Sequence, residues 1–562
     1  MRNVICGRGF LGALLAVVSM AVAADARGAH RENTASPAAP DVARMEQVIQ
    51  SYVSNKQFMG SVLVARGNDI ILDKGYGFAN LEWNIPNSPT TKFRLGSITK
   101  QFTAACILLL EERGKLSVND PVKKYMPDAP AAWDKITIFN LLTHTSGIPN
   151  FTSFPNYHST EPFPAAPAEL VARFRDKPLD FEPGTKMNYS NSGYVLLGYL
   201  IEKITGESYA KFVQENIFTP LGMKDSGYDS NSAVIPERAS GYTPGPDGIV
   251  NAGFINMTVP LSAGGLYSTT EDLLRWEQGL FGGELLSAAS LEKMTTPYKN
   301  DYAFGLAVQT NGRKVIHHEG GIEGFNTDLA YFPEGKLTVI VLSNLDGVGM
   351  GAVATKLMAL VNGEKVVLTS ERKEVPVDPK ILDGYTGKYD FAPNVTFTVT
   401  REGDQLMTQM TGQGKVPIFP ESAHDFFAKV VDAQITFVTD SAGKATELIL
   451  HQNSMDQHAK RIGDAPVVVE HKEVTVDPKL FDGYVGTYQL APNFVFTITR
   501  DGAHLFAQLS GQPSFEIFPE SEKDYFYKVV DAQITFVTES QGKATELILH
   551  QNGLDQHARR IE

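Results

Sequence analysis

The sequence predicts an α/β domain with a mainly antiparallel sheet and a helical lobe, followed by two small all-β domains. Three observations carry this. Strand-like runs lie near both ends of the first two-thirds of the chain, with a helix-rich centre between them. The sheet must therefore join strands that are distant in sequence. The last third repeats itself: Lys429–Thr439 recurs at Lys528–Thr538, and Asp383-Gly384-Tyr385 at Asp482-Gly483-Tyr484, an offset of 99 residues. Each copy alternates in short runs such as Val395-Thr396-Phe397-Thr398-Val399, with glycine-bearing turns between. That pattern predicts tandem barrels or sandwiches from a duplication.

The elements follow in chain order. Arg2 and Arg8 precede the apolar run Phe10–Ala23 and then small residues, which reads as a secretory signal over residues 1–26. Residues 27–40 are rich in Ala, Pro and Ser and read as a disordered leader. Val42, Met45, Val48, Ile49, Tyr52 and Val53 recur at helical spacing. Ser61–Arg66 and Ile70–Lys74 are strands joined at Gly67-Asn68-Asp69, a hairpin signal. Residues 97–295 are mostly helix and loop. Lys314–His318, Thr327–Phe332 and Lys336–Ser343 return to the sheet. A charged, proline-containing linker begins at Glu364. The expected domains are 41–365, 374–464 and 473–562.

The net charge of −14 argues against nucleic acid or an anionic membrane surface as the main partner. No run after the signal is long and apolar enough to span a bilayer. Removing the signal leaves Cys106 as the sole cysteine, so no internal disulfide is expected. A periplasmic or secreted protein fits. Nothing in the chain fixes an oligomeric state.

Ser-x-x-Lys occurs at Ser97, Ser208, Ser290, Ser370, Ser441 and Ser540. Only Ser97-Ile98-Thr99-Lys100 opens an apolar helical run. There a lysine three residues on shares the serine's face, and the helix N-terminus favours a developing alkoxide. A serine hydroxyl needs a base to act as a nucleophile. Lys100 is one candidate, and Tyr189-x-Asn191 and His318-Glu319-Gly320-Gly321 supply others downstream. His317-His318 has no second cluster at metal-ligand spacing, so neither metal nor cofactor is expected. His144 reads as structural, and Glu319 and Glu323 as solvated loop carboxylates.

In these blocks the chain resembles the penicillin-recognising serine hydrolases: AmpC-type β-lactamases, DD-carboxypeptidases, D-aminopeptidases and related esterases. The resemblance covers about residues 41–365. It rests on Phe93–Lys100, Leu141–Gly147, Pro183–Gly193, Ala263–Thr269 and His318-x-Gly320 in that order. It implies Ser97 as the acylated nucleophile, with Lys100 and Tyr189 sharing proton transfer. It implies Asn191 orienting Lys100 and the substrate amide, and the amides of Ser97 and Gly321 as an oxyanion hole. Which base takes the first proton stays open. Lys100 as a nearby cation would be expected to lower the Tyr189 pKa.

β-Lactamases and DD-carboxypeptidases commonly carry Lys-Thr-Gly where this chain has His318-Glu319-Gly320, and the family's lysine there is associated with recognition of a substrate carboxylate. Histidine is a weaker cation, so recognition of a free C-terminal carboxylate is expected to be poor. Asn191, His318, Gly320 and Gly321 are the candidate substrate contacts. The expected activity is cleavage of amide bonds in small peptides, D- or non-standard residues included. A carboxylesterase with the same site, or a protein that acylates and stalls as a sensor, are the alternatives. The two β modules are expected to shape access to the site.

Overall fold

The computed structural model describes residues 41–561, apart from 246–247, 311–312, 348, 393–394, 412, 453–454, 466–470, 492–493, 511–513, 529–531, 540–541 and 552–553. The signal and leader segments and Ser540 lie outside the described residues.

The first domain is built on a six-stranded antiparallel sheet. Its order is Ala307–Gln309, Val315–Ile322, Phe325–Phe332, Leu337–Ser343, Gly60–Arg66, Asp69–Tyr76. The N-terminal hairpin thus pairs with strands from beyond residue 300, with Val62 opposite Val341 and Leu63 opposite Ile340. Alternation assigns the two faces. Val62, Val64, Val339 and Val341 pack with helices Val42–Ser54 and Gly351–Val361. Leu63, Ala65, Ile340 and Leu342 pack against Thr99–Glu112 and the helical lobe. Gly67 turns the hairpin at φ +60°, a conformation that glycine adopts without strain.

Val366 and Leu368 join the core behind the sheet. Arg44 holds this segment by donating to the Val366 carbonyl at 2.7 Å and pairing with Glu371. The first domain therefore closes a few residues beyond 365.

Each repeat is a closed eight-stranded antiparallel barrel, spanning Gly387–Gly463 and Gly486–Arg560. The repeated sequence buries the same positions in both. Tyr385 stacks on Phe437 at 4.5 Å and Tyr484 on Phe536 at 4.4 Å. A side chain on Gly384 would strike the Gly443 carbonyl, and one on Gly483 the Gly542 carbonyl. The Asp-Gly-Tyr signature is thus a packing requirement. Among the described residues, no helix is long and apolar enough to cross a membrane.

The first barrel meets the first domain behind the sheet. Lys356, on Gly351–Val361, pairs with Asp432 and donates to the Tyr52 hydroxyl at 3.1 Å. Thr369 Oγ1 donates to the same Asp432 at 3.2 Å. These contacts lie on the sheet face opposite Ser97's helix, and no described barrel residue lines the cavity at Ser97. The expectation that the modules shape access therefore finds no support in this geometry. A chain ending at Lys373 should melt cooperatively and keep the full-length kcat/KM on a small ester and a longer peptide alike. A selective loss on the peptide would restore a gating role.

Candidate active site

Ser97 sits in a 3-10 turn, Gly96–Ile98, that runs directly into the helix Thr99–Glu112. The serine therefore precedes the α-helix rather than occupying its first turn. Gly96 takes φ +53°, and a Cβ there would lie 2.9 Å from both the nitrogen and the oxygen of Gly321. The Ser97 turn and the Gly321 backbone are thus in close contact. Gly320 is glycine for a different reason. Its Cβ would meet the Leu95 carbonyl at 1.9 Å and Thr327 Oγ1 at 2.3 Å, so it serves strand packing, not substrate approach.

Lys100 is fully buried. Its Nζ lies 2.9 Å from Ser97 Oγ, 2.9 Å from Asn191 Oδ1 and 2.8 Å from the Ala263 carbonyl. As an ammonium it donates to all three. As a neutral amine it donates to two and can accept the serine proton. Burial holds its pKa well below the ordinary lysine value, which favours the second state. Asn191 opens the helix Asn191–Thr205. Its N–H donates to Asn150 Oδ1 and its Nδ2 to Thr152 Oγ1, each at 3.1 Å, so the amide that faces Lys100 is fixed.

Tyr189 lies in the extended stretch just before that helix. Its hydroxyl is buried without a hydrogen bond. Burial pushes its pKa up, and nearby Ser97 opposes this only in part. The expected lowering by Lys100 is absent. The ammonium site sits 4.8 Å from the ring centroid, against the ring and not on the phenol oxygen. The geometry therefore favours Lys100 over Tyr189 as the group that takes the first proton, with Tyr189 placed to pass one on.

His144 is structural, as its turn suggested. It adopts φ +55°, its Nδ1 accepts from the Ser190 N–H at 3.1 Å, and its carbonyl accepts from the Asn188 N–H at 2.9 Å. It thereby fixes the turn that carries Tyr189, whose ring lies 4.3 Å from its own.

His318 is buried, and both ring nitrogens are engaged. Nδ1 lies 2.6 Å from the Glu319 carbonyl and must donate to it, so Nε2 accepts from the Tyr302 hydroxyl at 2.9 Å. Burial, then the nearby Lys100 charge, pushes its pKa down to about 3. His318 is therefore neutral and does not line the cavity at Ser97. Tyr302, its partner, lies in a loop with no motif around it, and sequence reasoning missed it.

That cavity encloses about 210 Å3. Ser97, Thr152, Tyr157, Asn191, Gly321 and Glu323 are among its lining residues. Ser97, Asn191 and Gly321 thus share one space, with Lys100 and Tyr189 behind them. Glu323 is not a solvated loop carboxylate: it is half-buried and its Oε2 has no partner. Glu319 lies in a strand, and its Oε1 accepts from the Gly351 N–H at 3.2 Å. His317 points to the other sheet face, where its Nδ1 meets Asp328 at 3.3 Å.

The neutral histidines make stability depend on pH. The unfolded chain protonates a histidine near pH 6.5, while burial keeps His318 and His144 neutral in the folded state. Their contribution is complete above about 6.5 and is lost as pH falls toward the folded-state values. His318→Gln should flatten the fall in melting temperature between pH 7 and pH 4.5. Equal slopes in the two proteins would remove His318 from that account.

Residues 45–363 match the family described as Beta-lactamase, and residues 371–463 and 470–561 each match a domain of unknown function, DUF3471. Penicillin-binding protein 4* of Bacillus subtilis is 30% identical over 447 residues, which is 74% of this chain and 98% of that one. A penicillin-binding protein homologue from Pyrococcus abyssi, of solved structure, is 27% identical with a TM-score of 0.54, covering 75% of this chain and all of its own. D-amino acid amidase from Ochrobactrum anthropi shares the fold at 24% identity and TM-score 0.51, over 57% of this chain and 96% of its own.

Proposed function

The chain belongs to the Beta-lactamase family, and from that membership we propose that it is a serine hydrolase that cleaves amide bonds in small peptides through an acyl-enzyme on Ser97. The observation that carries this is the buried Lys100 amine held between Ser97 Oγ, Asn191 Oδ1 and the Ala263 carbonyl. A neutral lysine there takes the serine proton as Ser97 Oγ attacks the carbonyl carbon. The amides of Ser97 and Gly321 receive the oxyanion. Tyr189, its hydroxyl buried and unpaired, stands ready to hand a proton to the leaving amine. Water then releases the acyl group by the reverse path.

Two features bear on the substrate. The cavity of about 210 Å3 suits a group the size of one residue. His318, neutral and enclosed, offers no cation to a C-terminal carboxylate. Small amides, D-residues included, fit both. The site of action is outside the cytoplasm, on the strength of the N-terminal signal sequence.

The test begins with a chromogenic ester. Continuous turnover supports the hydrolase; a single burst of one equivalent indicates a protein that acylates and stalls. A panel of short amides with D- or L-residues at each end then separates peptidase from esterase. Hydrolysis of esters with no amide cleaved would select the carboxylesterase.

A further inference from the structure

The cavity at Ser97 carries a carboxylate that the hydrolytic machinery does not use, with a second behind it. Glu323 lines the cavity just past the strand that ends at Ile322. Its Oε2 is buried with no hydrogen-bond partner. Glu161 is only 8% exposed. Its Oε1 meets His158 Nδ1 at 3.1 Å, its Oε2 is buried, and the Tyr157 hydroxyl interacts with the carboxylate. Tyr157, also in the lining, feels the charge of both carboxylates.

The nearby cations, Arg94 and His158, act on Glu323 through space without bonding to it. Arg94 donates to Asp229 at 2.7 Å, and the His158 side chain is 86% exposed, where solvent screens it. Burial pushes the Glu323 carboxyl up, its own backbone N–H opposes this, and the Glu161 charge adds to the rise. A carboxylate oxygen buried without a partner in the cavity wall costs free energy. A bound cation would remove that cost, and an unsatisfied polar group in a ligand cavity is accounted for in this way.

We propose that Glu323, backed by Glu161, binds a protonated amine on the acyl part of the substrate. The inference rests on the reading of Ser97 as the attacking residue, because both line one cavity of residue size. The amine is held, not transformed. It belongs to the residue whose carbonyl is attacked, either as its α-ammonium or as the end of a basic side chain.

Binding to a Ser97→Ala protein tests this without any turnover. Calorimetry would compare D- and L-phenylalaninamide, their N-acetyl forms and N-acetyl-lysinamide, each with and without Glu323→Gln. The free amines should bind, and acetylation should weaken them by about 10- to 100-fold, the loss of one charge-assisted hydrogen bond. Glu323→Gln should cause the same loss and abolish the difference between free and acetylated ligands. Glu161→Gln should act in the same direction and more weakly. Glu323-dependent binding of N-acetyl-lysinamide would assign the side-chain amine; its absence would assign the α-ammonium. Equal binding of free and acetylated ligands, no binding of any of them, or an equal effect of Glu323→Gln on both forms, would overturn the proposal. Such a failure says nothing about Ser97, which ester turnover tests by itself.

Discussion

Ser97→Ala should reduce hydrolysis of a chromogenic ester by about 10⁴-fold or more, and labelling by a fluorophosphonate should disappear with it. The size of the effect follows from how three other Ser-x-x-Lys lysines are engaged. Lys211 Nζ goes to Glu207 at 2.6 Å, while Ser208 caps its own helix. Lys293 Nζ goes to Glu111 at 2.9 Å, and Lys444 Nζ to Asp464 at 3.3 Å. Each of these lysines is claimed by a carboxylate. Lys100 alone among them is buried against its own serine. The variant should fold normally, because removing Oγ leaves Lys100 two of its three acceptors and Ser97 is half-buried, not a core residue. Mass spectrometry of the labelled protein reads the outcome directly. Stoichiometric labelling of the Ser97→Ala protein at another serine would place the nucleophile elsewhere.

The parts of this molecule that were legible in its sequence are those written in local periodicity or in repetition. The apolar runs in Ser61–Arg66 and Lys336–Ser343 mark strands, and their two faces feed two cores. The 99-residue offset marks two copies of one module, though alternation did not decide between barrel and sandwich. What escaped was set by packing across distant segments. Gly320 looked like an opening for substrate, yet it is glycine because Leu95, more than two hundred residues earlier, passes beneath it. His318 looked like a substrate contact until Tyr302 and the Glu319 carbonyl engaged its ring. Glu323 looked solvated because nothing local reveals that it lines a cavity with Ser97 and Tyr157. Lowering of the Tyr189 pKa by Lys100 was expected from proximity. Orientation and burial decided otherwise, since the amine lies 4.8 Å from the ring centroid and burial dominates at the hydroxyl.

Lys100→Ala and Tyr189→Phe should each lower kcat by roughly 10²- to 10⁴-fold, the range that a positioned acid or base supplies. The structure gives the two losses different characters. Lys100→Ala removes the group that takes the serine proton and also strands Asn191 Oδ1 and the Ala263 carbonyl. It should slow acylation by esters and amides alike. Tyr189→Phe removes a hydroxyl that interacts only with Ser97 in the free protein, so folding should be little affected by it. Its cost should fall more heavily on amides, whose leaving amine needs a proton, than on esters of acidic phenols, which leave without one. The double variant decides whether the groups form one relay. If the Lys100 amine takes the serine proton and Tyr189 passes it on, losing either breaks the same path. The double variant should then be little worse than the poorer single variant. Steady-state kinetics on a matched ester and amide measure both contrasts. Losses that multiply in full would mean two independent contributions. An equal ester and amide penalty in Tyr189→Phe would remove the tyrosine from the leaving-group step.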